Sequence, residues 1–291
     1  MLQILINSLA SGATFLLVGL GFSLLYNTVR FFNFSQAFVI TSGAYAMFVT
    51  VIIWRAPLWM AIIIGASLAS AIGATIEIYV FRQLRLRRVS SWGLLLTSLS
   101  GYLILQNTIS LLFDDVTRSV RLGAVQVGHE VGGAYITDIQ LLAIFVSMIV
   151  LFFVMFVLRT TSFGLAIRGI SSNPELSVNF GISAERTILL TTLFSSALAA
   201  FAGMLSALDT DMTPTMGFRV LINGIIAMII SGVGSYPSLV GGAFILAMSQ
   251  HTVVYYFGSQ WMDAVSFIIL IAFLSCKPLG FSGRRLKKIE I

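Results

Sequence analysis

LQILINSLASGATFLLVGLGFSLLY, residues 2–26, contains no charged side chain. A helix rises 1.5 Å per residue and the hydrocarbon core of a bilayer is about 30 Å thick, so about 20 such residues cross it. The segment lacks the apolar–polar alternation of a barrel strand, so it reads as a helix. The first basic residue is Arg30. A secretory signal would open with charge, so the expectation is a first span that is retained.

Similar apolar runs recur near residues 34–53, 58–81, 91–113, 138–158, 187–208, 219–234, 237–257 and 261–276. Together they predict an all-α, polytopic transmembrane helical bundle of about eight to nine spans. The run 219–234 is short for a full crossing and leaves the count open by one. No linker or shift in composition divides residues 1–291, so one transmembrane domain is expected. Gly65, Ala69 and Gly73 place small side chains on one face of the third span, and Ala199 and Gly203 do so in the sixth. Such stripes let helix backbones approach closely in a membrane.

Overall, 58% of the chain is apolar and 10% is charged, which excludes an ordinary soluble domain. Cys276 is the single cysteine, and His129 and His251 stand far apart, so neither a disulfide framework nor a histidine metal site is expected. The net charge of +6 is distributed by side of the membrane. With the RQLRLRR cluster, residues 82–88, placed inside and the spans alternating, thirteen basic residues fall inside. They are Arg30, Arg82, Arg85, Arg87, Arg88, Arg159, Arg168, Arg186, Lys277, Arg284, Arg285, Lys287 and Lys288. Only Arg55, Arg118, Arg121 and Arg219 fall outside. The bias orients the chain, N-terminus outside and C-terminus inside, and does not point to a nucleic acid partner.

One polar stretch interrupts the pattern: SFGLAIRGISSNPELSVNFGISAER, residues 162–186. Asn173 is a good helix N-cap and Pro174 suits the first helical position. Ser172 and Glu175 fit capping-box spacing, and Gly181 is the residue type that ends a helix. The segment about 159–186 therefore presents one short capped helix on the basic side, a handle for another chain.

Polar residues within the spans are the remaining candidates, because they are costly there. Arg30, Asn33 and Gln36 have the spacing of one helical face, with Phe34 and Ser35 between them. Asn33 and Gln36 either line a path or satisfy freed backbone groups at a helix start. Asn223 and the break SGVGSYP, residues 231–237, with Gly232 and Gly234, either border a site or form a tight turn. Glu77 is expected to pair with a nearby arginine or reach the interface, and His251 to be a packing residue. Asp209, Asp211 and Asp263 read as a solvated rim. The chain has no G-x-S-x-G, H-E-x-x-H, Walker or dinucleotide motif, so hydrolytic, redox and ATPase chemistry within it is not expected. An ion-coupled carrier would need more intramembrane ionisable groups, and a membrane scaffold would make the same polar residues packing features.

Four landmarks, GLGFSLLYNTVRFFNFSQ (residues 19–36), SFGLAIRGISSNPELSVNFGIS (162–183), SGVGSYPSLVGG (231–242) and DAVSFIILIAFLSCKPLGFSG (263–283), resemble the LivH-type permeases of branched-chain amino acid ABC importers. The resemblance runs over nearly the whole chain. It implies a bacterial inner-membrane importer subunit that binds no cofactor itself, with ATP and Mg used by two ABC ATPase subunits. It also implies a second, LivM-type permease and an external solute-binding protein. The helix from Asn173 to Gly181 would be the coupling helix, with Arg168 and Glu175 as polar contacts and Leu176 and Phe180 as docking residues. Family members commonly carry Gly-Glu where Ala37 and Phe38 stand, and Leu-Lys where Ile222 and Asn223 stand. Loss of an acid and a base near the path is a change in its chemistry. An aliphatic amino acid remains the first expectation, with urea or another small polar solute as the alternative.

Overall fold

The computed structural model describes residues 1–120, 128–277, 280 and 281. Arg121, Arg284, Arg285, Lys287 and Lys288 of the charge count lie outside the described residues. The chain is a helical bundle in which α1 (Leu2–Val29) is the central rod. It is buried on nearly every face and packs against α6 (Asp138–Thr160), α9 (Ala184–Asp209), α10 (Met216–Ser231) and α11 (Leu239–Phe257). A helix apolar all round belongs inside a bundle.

Around it stand α2 (Gln36–Phe48), extended by a π-helical turn Val49–Ile53, and α3 (Leu58–Ile76), which runs on through a second π turn Glu77–Phe81 into α4 (Arg82–Leu86). Next come α5 (Ser91–Phe113) and, last in the chain, α12 (Met262–Cys276) with its leading 3-10 turn Ser259–Trp261. Among the described residues seven helical rods are long and apolar enough to cross a membrane, the 16-residue α10 is a shorter apolar helix, and α11, 19 residues long, is a further helix outside the seven. Each of the nine expected runs coincides with a helix, and α10 is the short one. The loop after α5 holds a small antiparallel hairpin, β1 (His129–Val131) on β2 (Ala134–Ile136), which the strand-free reading did not include.

Small residues set the closest approaches. In α3 the buried positions are Ala61, Gly65, Ala69 and Gly73, the anticipated stripe and one more turn of it. Gly203 of α9 lies so near the Ile40 carbonyl of α2 that any side chain would collide with backbone. Outward faces of α3 and α6 are apolar, as with Trp59 and Phe152, whereas that of α5 mixes apolar Ile104 with polar Asn107.

The two ends of the bundle are distinct. At one end the Gln3 side chain brackets Tyr135, donating to its carbonyl at 2.9 Å and accepting from its amide at 2.8 Å. That end also holds the backbone pair Arg118–Met212 and the contact of Arg219 Nε with Asp263 at 3.5 Å. At the other end the Arg30 guanidinium donates to the Ser171 carbonyl, and Arg82 pairs with Glu185 at 2.5 Å. The basic residues after α1, α3 and α6 thus gather at one end, as the charge pattern requires.

Two local expectations are corrected. Residues 162–186 form two helices, α7 (Ser162–Ser172) and α8 (Pro174–Asn179), instead of one. Arg30, Asn33 and Gln36 do not share a helical face. Arg30 ends α1 in the left-handed conformation, φ 61°, and α2 starts only at Gln36. The cause is local: Asn33 Oδ1 accepts from the Ser35 amide at 3.1 Å, an Asx turn that competes with helix.

Candidate functional site

The exposed handle is built by successive caps. Thr161 Oγ1 accepts from the Gly164 amide at 3.1 Å and starts α7. That helix buries Gly164, Ile167 and Ile170 on one stripe, while Arg168 is exposed and donates to the Gly164 carbonyl at 3.4 Å. Asn173 is the N-cap of α8: its Oδ1 accepts from the Leu176 amide at 3.1 Å, with Pro174 opening the helix. Ser172, one of the two capping-box residues expected, instead ends α7, its hydroxyl donating to the Gly169 carbonyl at 3.1 Å. Asn173 holds the cap because its extended backbone, φ −155°, breaks the chain between the two helices.

Gly181 closes α8 with φ +83°, its amide donating to the Val178 carbonyl at 2.9 Å, and the Ile182 amide donates to the Ser177 carbonyl at 3.0 Å. Ser177 is buried against α7 near Gly169 and donates to the Asn173 carbonyl at 2.8 Å. The outward side carries Leu176, 53% exposed, and Phe180, 83% exposed. Glu175 lies within α8. Two bulky apolar side chains on a polar, rigidly capped projection are suited to a protein partner.

This projection is tied to the interior by Arg30, a role the sequence did not disclose. Its guanidinium meets the Ser171 carbonyl at the C-terminal end of α7, where orphan carbonyls favour a cation. The next residue, Phe31, packs its ring on Phe81 at 5.2 Å. A basic residue just past a long apolar helix was the available signal, but its partner is 141 positions away.

Beyond Phe31 the chain turns back into the bundle. The Phe34 amide donates to Ser98 Oγ at 3.1 Å and Ser35 Oγ donates to the Ser98 carbonyl at 3.1 Å, fixing the segment on α5. The Gln36 carboxamide donates to the Ser195 carbonyl at 3.1 Å and to Ser195 Oγ at 2.7 Å, and that hydroxyl donates to the Gly21 carbonyl at 2.7 Å. One glutamine thus joins the start of α2 to α9 and α1. Asn33, Ser35 and Gln36 are all buried, and each has a protein partner.

The short helix α10 begins beside this segment. Its Gly217 leaves no room for a side chain against the Ala37 carbonyl. Phe218 then lies 6.0 Å from Phe34 and 5.2 Å from Tyr102, ring centroid to ring centroid. The starts of α2 and α10 and the middle of α5 converge on one aromatic cluster within the bundle. Non-helical backbone at that depth is tolerated where protein or a cavity surrounds it.

Asn223 is elsewhere on α10. It accepts from Gln250 Nε2 at 3.0 Å, and that nitrogen also donates to Ser266 Oγ at 2.5 Å, which bonds α10 to α11 and α12. Gly232 and Gly234, φ +93° and +88°, form the turn between α10 and α11 near the basic end. Asn27 Nδ2 donates to the Tyr236 hydroxyl there at 3.2 Å. The expected group of Asn223, Gly232 and Gly234 is therefore two separate features, a polar bridge and a turn. Ser98, Ser195, Gln250 and Ser266 complete these bridges and carry no sequence signal of their own. Glu77 pairs with Arg85, and His251 meets Ser11 Oγ at 2.8 Å, both as read from sequence.

Known proteins extend this description. The family model described as "Branched-chain amino acid transport system / permease component" matches residues 4–274. The high-affinity branched-chain amino acid transport system permease protein BraD of Pseudomonas aeruginosa is 28% identical, with 97% of this chain and 96% of that protein aligned. LivH of Escherichia coli strain K12, described in the same words, is also 28% identical over 97% of this chain and 96% of its own length. The probable branched-chain amino acid transport permease protein LivH of Methanocaldococcus jannaschii is 26% identical over 94% and 90%. The solved structure of PsaBC from Streptococcus pneumoniae in complex with Fab matches with a TM-score of 0.52 over 98% of this chain and 93% of that one. At 14% identity, that likeness is one of fold. With a transmembrane helical bundle and a match from residue 4 to residue 274, the chain belongs to the family of branched-chain amino acid transport system permease components.

Proposed function

We propose that this chain is the transmembrane permease subunit of an ATP-binding-cassette importer in a bacterial inner membrane, carrying an aliphatic amino acid of the branched-chain type. The observation that carries the reading is α8, a capped projection that presents Leu176 and Phe180 outward and is linked through α7 and Arg30 to α1. In this reading the basic end and the C-terminus face the cytoplasm. Two ATPase subunits seat α8, and they use the ATP and Mg, since the chain carries no nucleotide motif. An external solute-binding protein delivers the solute to the opposite end.

A second, LivM-type permease completes the path. Support comes from α5, where exposed Leu103, Asn107 and Leu111 share one outward face. Among the described residues Asn107 donates within its own helix, to the Leu103 carbonyl at 2.7 Å. An amide on an outward membrane face is better matched by protein or water than by lipid. The aromatic cluster at the starts of α2 and α10, to which α5 contributes the buried Tyr102, is the candidate solute contact, with Asn33, Phe34, Ser35 and Gln36 setting its shape. Closure of the ATPases would shift this cluster between two arrangements, which requires different binding energy in each.

A neutral solute such as urea is the second reading. It is favoured by the uncharged Gln36 and Asn223, which are satisfied by Ser195 and by Gln250 respectively, without an ion pair. Uptake by proteoliposomes containing the assembled subunits decides both points. ATP-dependent accumulation of leucine supports the proposal. Accumulation by this chain alone, without ATPases, refutes it, and ATP-dependent uptake of urea but not leucine selects the second reading.

A further inference from the structure

At the basic end, beside α8 but separate from it, a cavity of about 390 Å³ lies between the α3–α4 rod and the first turns of α9. Glu77, Arg82, Arg85, Glu185, Arg186 and the apolar Leu189 line it. Its charges do not cancel. Glu77 is held by Arg85 and Glu185 by Arg82, whereas Arg186 has no acidic partner among the described residues. Arg85 also keeps one guanidinium nitrogen, Nη1, buried and without a hydrogen-bond partner. A buried donor left unmade is costly, so the Arg85 side chain gains from a small shift that turns this nitrogen to an acceptor in the cavity.

The depth of the cavity identifies which acceptor. Tyr79 and Trp92 are 70% and 76% exposed on the flanking helices. Aromatic side chains with polar tips settle at the headgroup level of a bilayer. Arg87 and Arg88, in the turn that follows α4, are both exposed and add positive charge to this end of the bundle. The site thus combines the planar guanidinium of Arg85, an arginine without an acidic partner among the described residues, Arg186, and the apolar Leu189. A phosphate oxygen suits such a guanidinium, and acyl chains suit the apolar helix faces beside it.

We infer that this cavity binds the phosphate of an anionic phospholipid headgroup, Arg85 and Arg186 being its ligands. The bound lipid would bridge the end of α3 to the start of α9, the helix that follows α8 in the chain. The site is independent of the transported solute and of the importer reading.

The test uses the whole chain purified in detergent, with retained phosphatidylglycerol compared against phosphatidylcholine by native mass spectrometry. Wild type is expected to retain phosphatidylglycerol preferentially. Arg186→Gln is expected to lose about fivefold in that retention, the effect of one arginine at an anionic surface. Arg85→Lys keeps the charge opposite Glu77 but removes the spare guanidinium nitrogen, so it should weaken retention while the protein stays folded. Arg159→Gln, an exposed arginine at the end of α6, is the charge-matched control and should retain as wild type does. Equal retention of both lipids by wild type, or equal losses in Arg186→Gln and Arg159→Gln, overturns the proposal. A parallel arm adds inorganic phosphate: if phosphate alone displaces the lipid at millimolar concentration and reproduces its thermal stabilisation, the site takes a free anion and the lipid assignment fails.

Discussion

Replacing Gly43 with alanine puts a methyl group where α2 and α9 touch. The added Cβ would stand 2.7 Å from Ala200 Cα, 2.8 Å from Ala200 Cβ and 3.0 Å from the Ala200 carbonyl oxygen. Comfortable carbon–carbon contact is about 3.5–4.0 Å, so the helices must part by roughly 1 Å. Backbone atoms cannot rotate out of the way as a side-chain tip can. Overpacking of this kind costs about 1–3 kcal/mol, and the same interface holds the bond from Gln36 to Ser195. Thermal unfolding of the purified protein in one detergent should show the midpoint lowered by roughly 2–10 °C. The control is Gly241→Ala on α11, where an added Cβ meets nothing within 4 Å. Its midpoint should hold or rise, since alanine favours a helix over glycine by up to about 1 kcal/mol. If Gly43→Ala matches wild type, or if Gly241→Ala loses as much, the close packing of α2 on α9 is wrong.

The remaining expectations concern the projection and the interior segment. Gln36→Met removes both donors to Ser195 and should cost roughly 1–2 kcal/mol, with uptake per folded protein falling further than the thermal midpoint suggests. Leu176→Ser with Phe180→Ser changes exposed side chains, so stability should move by no more than about 0.5 kcal/mol. Co-purification of the ATPases should nevertheless drop by about tenfold or more, as for the loss of interface anchors. Gly181→Val forces a β-branched residue to φ +83°, costing roughly 1–2 kcal/mol locally, and should lower solute moved per ATP while membrane insertion stays normal. Arg30→Gln cuts the tie to Ser171, so ATP hydrolysis by the assembled complex should continue while uptake falls. Loss of both together would indicate a purely structural role.

Spans were legible because a bilayer demands long uncharged helices, and each expected run is a helix. The cap of α8 was legible too, because Asn173, Pro174 and Gly181 act on their own backbone within a turn. What was hidden depends on partners distant in sequence. Gln36 could be singled out as a polar residue in a span, but nothing local says that it reaches Ser195, 159 positions away. The helical spacing of Arg30, Asn33 and Gln36 misled, since an Asx turn at Asn33 and a left-handed Arg30 override periodicity over so short a stretch. The helix α7 was not anticipated within the polar stretch 162–186, although its buried stripe of Ile167 and Ile170 was in the sequence. Asn223 and the Gly232–Gly234 turn are close in sequence, yet one bonds toward α12 and the other closes the basic end.

The central claim is that energy from an ATPase enters through α8. Cys276 is the single cysteine, so a Cys276→Ser background allows one benzophenone-bearing cysteine to be placed at will. Phe180→Cys labelled in this way should, on illumination of native membranes, give a product with the mass of this chain plus one ATPase subunit. The same label at Phe257, 69% exposed at the opposite end of the bundle, should give none. No ATPase product from position 180, or equal yields from 180 and 257, would contradict the account.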